Sequence, residues 1–267
     1  MQDAAERIAL GYVEAERQRR RNVPGAEVVT LDGLALCFAN VAAPELNGTL
    51  VQSKPSDPSA ALAAAESEYR RRGLSFGINI QAGRHPALDE AVRAAGLVRI
   101  FGRPGLAARV AELAEPATPE ESRIASVVDP RGSDGVGVVD IASFDDPPEV
   151  AHGFYGRSIH SAPDARWFLA WERHEPVGMA AAHLYDGAVG VFGVGVVPRA
   201  RRRVLGAALT VAAARAFPEA DLAWLHPSEM ARHLYEEIGF VRVADWEVWG
   251  RREVAIGLSG APRILAR

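Results

Sequence analysis

The stretch that decides the reading is Val196-Val197-Pro198-Arg199-Ala200-Arg201-Arg202-Arg203-Val204-Leu205-Gly206-Ala207-Ala208-Leu209-Thr210. It ends a long apolar strand pattern, 188–197, that Pro198 stops. It leads into a helical pattern over 201–217, with Leu205, Ala208, Leu209 and Ala212 on one face. A strand that passes through a short basic loop directly into a helix aims three things at one point: unpaired backbone N–H groups, the positive end of the helix dipole, and several guanidinium groups. That point suits a pyrophosphate, to which arginine adds bidentate contacts. The other reading of the same residues is an ordinary strand-to-helix turn with a basic solvent face.

Downstream, a strand over 221–225 precedes a helix over 228–238, closed by Gly239 and followed by strands over 240–243 and 246–249. Ala231, Leu234, Tyr235 and Ile238 share the inward face of that helix, so the Tyr235 hydroxyl can reach a cleft or make one core hydrogen bond. Upstream, strands over 166–171 and 177–185 flank a turn at His174-Glu175-Pro176, and Asp186-Gly187 makes a second hairpin. A strand is expected over 135–141 and a helix over 145–157, capped by Asp145 or Asp146.

The first hundred residues repeat this order. A helix over 3–21 precedes a hairpin over 27–31 and 34–41 with Asp32-Gly33 at its turn, and a short strand follows over 49–52. Then come a helix over 60–72, a strand over 74–80, a helix over 86–95 and a strand over 97–101. Gly96-Leu97-Val98-Arg99-Ile100 matches Gly239-Phe240-Val241-Arg242-Val243, 143 positions later (239 − 96). The shared element order reads as a duplicated unit. Residues 111–122 carry two prolines and acidic residues without an apolar period, which reads as a linker. The expected division is therefore a first domain over 1–112, a linker over 113–122 and a second domain over 123–267.

Bulk properties set limits. At 267 residues, 48% of them hydrophobic, the chain can build two cores. A net charge of −4 argues against general nucleic-acid binding. The single cysteine, Cys37 in an apolar run, excludes a disulfide framework and a cysteine-rich metal site. His226 and His233 are seven apart with no carboxylate or cysteine pattern beside them, so no metal site is expected. The start of the sequence lacks a basic-then-apolar signal, and no segment approaches a membrane span, so a cytoplasmic protein is expected, with no membrane and no nucleic-acid partner.

The two stretches at 196–210 and 225–240 together resemble the GNAT superfamily of N-acetyltransferases. The cofactor loop of that family runs Val-x-Pro-x-x-Arg-Gly-x-Gly-x-Gly/Ala, and Val196, Pro198, Arg201, Gly206 and Leu209 fall on the pattern. Its later helix often ends Leu-Tyr-x-x-x-Gly-Phe, as do Leu234, Tyr235, Gly239 and Phe240 here. The resemblance implies an α/β (α+β) fold of two GNAT-like domains, each a mixed, mostly antiparallel sheet flanked by helices. It implies acetyl-CoA, or another acyl-CoA, as co-substrate. A small-molecule or peptide amine would be the acceptor, and the chain would be a monomer or homodimer. Backbone groups at Val196 and Val197 would pair with the pantetheine arm. The amides of Arg201, Arg202, Arg203, Val204, Leu205, Gly206 and Ala207 would cradle the pyrophosphate, Ser228 would lie near the pantetheine, and Tyr235 would protonate the leaving thiolate.

Two departures stand out. In the preferred register Arg202 and Val204 occupy the first two glycine positions of the loop, where a β-branched valine hinders close approach of backbone to phosphate; an alternative register, Arg203-x-x-Gly206-x-Ala208, restores a glycine but lengthens the loop after Pro198 by two residues. The first half has Val51-Gln52-Ser53-Lys54-Pro55-Ser56 where a loop would be and Val92 in the place of Tyr235, which reads as a copy without cofactor. Glu172, His183 and Asp186 are the candidates for a general base, with a water chain as the alternative, and Phe154, Tyr155, His160 and Trp167 are candidates for an acceptor pocket. Gly190-x-x-Gly193-x-Gly195 lies inside a strand, not between strand and helix, and so does not read as a dinucleotide loop. A non-catalytic acyl-CoA-binding or regulatory module of the same fold is the rival to an acyltransferase.

Overall fold

A computed structural model of the chain describes residues 3–253 apart from 22, 40–45, 118–119, 146–147, 149–150, 152–158 and 160–161. The described residues form a single eleven-stranded sheet. In chain order the first half contributes α1 (Ala4–Arg20), β1 (Glu27–Leu31), β2 (Leu34–Phe38), β3 (Gly48–Val51), α2 (Pro58–Arg71), β4 (Gly77–Gln81), α3 (Pro86–Ala94) and β5 (Val98–Arg109). The second half contributes β6 (Ser122–Ser126), α4 (Pro130–Phe144), β7 (Ala165–Glu172), β8 (Glu175–Tyr185), β9 (Ala188–Val196), α5 (Leu205–Ala214), β10 (Leu222–Leu225), α6 (Arg232–Glu237) and β11 (Val241–Gly250). The order across the sheet is β1-β2-β3-β4-β11-β5-β10-β9-β8-β7-β6.

The sheet is mostly antiparallel; only β3–β4 and β9–β10 run parallel. These two pairs hold the same place in the repeated element order. The last strand of each half crosses into the other. β11 lies antiparallel between β4 and β5, from Trp246 opposite Gln81 to Val241 opposite Ala107. β5 in turn separates β10 from β11, with Leu225 opposite Leu106. The predicted strands at 240–243 and 246–249 are one strand with a bulge between Arg242 and Ala244, and β5 runs through Pro104 to Arg109, well past the expected end at 101.

Alternation along the strands gives the sheet two covered faces. On one, α2 and α3 close a core of Leu34, Leu36, Phe38, Ile78 and Ile80, while Leu209 of α5 packs toward Gly178 of β8. On the other, α1 spans the join. Its Ile8 packs with Trp224 and Trp246, and its Val13 with Ala35 and Leu50. Polar contacts tie α1 to both halves: Arg7 pairs with Asp221 at 2.6 Å, Gln18 Nε2 donates to the Leu184 carbonyl at 2.8 Å, and buried Arg20 donates to the Phe38 carbonyl at 3.2 Å while pairing with Glu16.

Residues 135–141 are helical, not a strand. Asp129 caps α4 by accepting from the Gly132 N–H at 2.7 Å, Pro130 sits in the first turn, and the buried Gly132, Ser133, Val136, Val139 and Asp140 follow a helical spacing. Asp145 ends α4 in the left-handed conformation. Of the helix expected over 145–157, Pro148 and Ala151 are described and both are helical, while the rest lies outside the described residues, as do Phe154, Tyr155 and His160. Ser122, the last residue of the stretch read as linker, already starts β6.

Candidate active site

β9 and β10 pair over only three rows, from Leu222 opposite Ala188 to Trp224 opposite Gly190. β9 then continues to Val196 while β10 ends at Leu225, so the β10-facing edge of β9 from Val191 onward has no strand partner. Within this free length β9 bulges. The register to β8 shifts between Met179 and Ala181, and Gly193 takes φ +56°, which favours glycine. Gly195 is needed for space, since a Cβ there would lie 3.0 Å from Ser143 and Phe144 at the end of α4. The glycines inside this strand therefore serve bulge and packing, in accord with rejecting a dinucleotide loop.

Val196 closes β9, and Val197 donates its N–H to the Val177 carbonyl at 2.9 Å. A single turn, Pro198–Ala200, leads to Arg201, Arg202, Arg203 and Val204, all exposed. The helix expected from 201 starts only at Leu205. Its first backbone bond joins the Ala208 N–H to the Val204 carbonyl at 3.0 Å, and no side chain caps it. The amides of Leu205, Gly206 and Ala207 are thus the open donors of the α5 N-terminus. Arg202 at φ +63° and Val204 at φ +64° are both left-handed.

The three arginines differ. Arg201 folds back, its Nε donating to the Val196 carbonyl at 3.0 Å and its Nη2 to the Ser143 carbonyl at 2.9 Å, which ties the loop to the ends of β9 and α4. Arg203 pairs with Glu172 at 3.2 Å, and Arg199 pairs with Glu175. Arg202 makes no ion pair among the described residues, which leaves a guanidinium at the mouth of the loop.

Tyr235 lies on α6 with its ring edge-on to Phe240 at 6.2 Å. Burial pushes its phenol up to about 12, and a hydrogen bond with Thr210 offsets part of that shift. Thr210 Oγ1 donates to the Gly206 carbonyl at 2.8 Å, so Tyr235 is linked to the first turn of α5. Sequence reasoning had not singled out Thr210; its signal is a hydroxyl four residues after Gly206 on the helix. Ser228 is half-buried in the segment between β10 and α6.

The base candidates separate on position. His183 is buried, with Nδ1 donating to Gln18 Oε1 at 3.0 Å and its ring edge-on to Phe192 and Trp167. Burial, then the Arg19 charge, lowers it to about 3, far too weakly basic to accept a proton from an alkylammonium. Asp186 sits in the turn before β9, so the strand puts it about 25 Å from Val196. Glu172 lies at the loop end of the sheet, held by Arg203. Trp167 is buried with its ring edge-on to His183. Among the described residues no group of three or more histidine, cysteine or acidic side chains could hold a metal ion, and no helix is long and apolar enough to cross a membrane.

The corresponding point of the first half, the start of α2 after β3, is filled from within. Asp57 accepts the Ser59 and Ala60 N–H groups at 3.0 Å, and Asp32 accepts the Ser56 N–H at 3.0 Å and its hydroxyl at 2.9 Å. Two carboxylates occupy the donors that a phosphate would need.

Comparison with known proteins agrees with this geometry. The sequence model of the acetyltransferase (GNAT) family matches residues 136–240. No curated protein matches the sequence. Among solved structures, a GCN5-related N-acetyltransferase from Kribbella flavida superposes with a TM-score of 0.73 at 21% identity, covering 93% of this chain and 95% of its own. A tandem GNAT protein from the clavulanic acid biosynthesis pathway gives 0.61 at 15% identity, with 91% and 94% covered. A GCN5-related N-acetyltransferase from Sphaerobacter thermophilus gives 0.62 at 15% identity, with 92% and 90% covered. The parted parallel strands, the loop and the helix they lead into all lie inside the residues that match the acetyltransferase (GNAT) family model, and the fold is shared with these GNAT structures.

Proposed function

We propose that the chain is an N-acyltransferase that moves an acetyl or other short acyl group from its CoA thioester to an amine of a small molecule or peptide. The observation that carries this reading is the loop between β9 and α5. Two left-handed residues, Arg202 and Val204, lead from the end of β9, which has already left its parallel partner, into the open amides of Leu205, Gly206 and Ala207. In this reading the pyrophosphate lies on the amides from Arg201 to Ala207, with the guanidinium of Arg202 beside it. The pantetheine runs along the free edge of β9 near Val196 and Val197, and Ser228 faces it.

The amine nitrogen attacks the thioester carbonyl carbon, and the carbon–sulfur bond breaks. The departing thiolate takes the proton of the Tyr235 phenol, which the raised pKa keeps in place throughout the neutral range. The proton lost by the amine passes to water, and water returns one to the Tyr235 phenolate, which restores the phenol for the next turnover. The first half, 1–112, would be a GNAT-like unit without a cofactor, because Asp57 and Asp32 fill its helix start. The second domain would be 123–267, with residues 113–122 joining the two.

One observation favours a second reading. Arginine and valine side chains stand where the family loop has glycines, and their bulk can deny phosphate its closest approach. In that case the second half would be a non-catalytic member of the fold. Calorimetric titration with acetyl-CoA and with free CoA tests both readings. Saturable binding at one site per chain, followed by thiol release with an amine, supports the transferase. Binding without thiol release across a panel of amines supports the non-catalytic module. No binding of either ligand removes the cofactor site.

A further inference from the structure

The free length of β9 has a closed end. Gly190 opposite Trp224 is the last paired row, and continuing the register sets Val191 opposite Leu225 and Phe192 opposite His226. β9 is buried up to Val191 and β10 up to Leu225. Phe192 and His226 are the first residues on either side to be only half-buried, so the gap between the strands opens at their row.

A residue of the first half walls that end. Tyr12 of α1 sets its ring 6.0 Å from that of Phe192 and 5.2 Å from that of His226, and so bridges both sides of the opening on the α1 face. Trp224 stands behind them, 5.3 Å from Phe192 and 6.0 Å from Tyr12. Each ring is held. Arg103 Nη2 donates to the Tyr12 hydroxyl at 2.6 Å, and His226 Nδ1 donates to the Pro104 carbonyl at 3.2 Å. The helix itself lies close, since a Cβ on Gly11 would come 3.1 Å from the Trp224 indole nitrogen. Nor is there slack between the rings and the strand. A Cβ on Gly190 would lie 2.6 Å from Trp224 and 2.7 Å from Phe192, so not even a methyl group fits there.

We propose that Tyr12 and Phe192 limit the donor thioester to acetyl, so that the first half sets the donor specificity of the second. This rests on the acyltransferase reading, in which the pantetheine follows β9. From Val196 back to Phe192 the strand runs roughly 13 Å, a span that the extended arm covers, and the acyl end comes to the row of Phe192 and His226. An acetyl methyl meets ring edges there and goes no further. The two additional methylenes of a butyryl group have to push a ring out of its packing, and one misfitting methylene already discriminates by about 10- to 200-fold.

The test is calorimetric titration of the full chain with acetyl-CoA, butyryl-CoA and free CoA, in the parent and in Phe192→Ala and Tyr12→Ala. The parent should bind butyryl-CoA at least about tenfold more weakly than acetyl-CoA, and each variant should narrow that ratio to below about threefold. A general loss of packing would weaken all three ligands alike and leave the ratio as it was; that result in a folded variant overturns the proposal. So does a parent that binds the two thioesters equally, and in that case the acyltransferase reading stands. If none of the three ligands binds, the cofactor site falls and this proposal with it. Should one variant not fold, the other decides alone.

Discussion

Arg202 and Val204 both adopt left-handed backbone conformations, one residue apart, immediately before the first turn of α5. For a β-branched residue that conformation costs roughly 1–2 kcal/mol, and it persists only where the surroundings fix it. Here Arg201 does so from one side, through the carbonyls of Val196 and Ser143, and the buried Leu205 does so from the other.

Val204→Gly should therefore stabilise the fold by about 0.5–1 kcal/mol, the relieved strain less the added freedom of the unfolded chain. Urea unfolding would show the midpoint moving up with an unchanged slope. The same variant should bind acetyl-CoA more tightly than the parent, because the removed side chain no longer stands between amide and phosphate. Weaker binding would mean that the glycine positions of the loop are assigned to the wrong residues.

Tyr235→Phe should lower turnover by about 10²-fold, the low end of the usual contribution of a positioned acid. Acetyl-CoA affinity should change less than about twofold, since the ring stays in its packing against Phe240. Equal turnover would remove Tyr235 as the proton donor. Loss of affinity in parallel with turnover would instead assign the Tyr235–Thr210 link to shaping the α5 end.

Stability should fall on mild acidification. His183, at about 3, and His226, well below its ordinary value, are both neutral in the fold, whereas in the unfolded chain they titrate near 6.5. The unfolded state then binds protons that the folded state refuses, so stability is complete above 6.5 and declines below it. The slope is at most about 1.4 kcal/mol per pH unit for each histidine. Glu16, held down to about 2 although burial alone would raise it, adds its loss only below its unfolded value of 4.5. Urea midpoints at about pH 7, 6 and 5 isolate the histidines, and His183→Gln should flatten the decline. A pH-independent midpoint in the parent would show that these histidines are not neutral in the fold.

Residues 123–267 expressed alone should not unfold cooperatively, because β11 has both of its neighbours, β4 and β5, in the first half. Far-UV and near-UV circular dichroism would show it. Coexpression with 1–117 should restore the sheet and the near-UV signal. A folded second half on its own would mean that β11 can pair directly with β10.

Much of this was legible because local chemistry and tertiary placement agree. The Asp32-Gly33 and Asp186-Gly187 hairpins, the stop at Pro198 and the glycine closures after α3 and α6 all lie as their residues predict. The stretch at 135–141 misled because Val and Gly alternate there as in a strand, while the deciding signal, Asp129 and Pro130, lies just ahead of it. The start of α5 was placed too early because arginine is a good helix former, and no propensity reports a left-handed turn forced on Arg202 and Val204. The free edge of β9 and the inward fold of Arg201 depend on β10 and α4, which no local pattern encodes. Reciprocal crossing of β5 and β11 is invisible in the same way, since each strand looks alike whichever half supplies its neighbours.

That crossing also orders events during synthesis. β11 is the last described strand to leave the ribosome, yet it belongs in the middle of the sheet. Until it arrives, β4 and β5 are two long-lived open edges, with the apolar side chains of Ile78, Ile80, Leu106 and Ala107 beside the gap. A nascent chain in that state offers the same gap to the β11 of a second nascent chain, which must pay the association entropy that the tethered strand avoids. Translation speed over the final third of the message, and the crowding of neighbouring ribosomes, would then decide how much of the product closes on itself and how much is born as an interlocked pair.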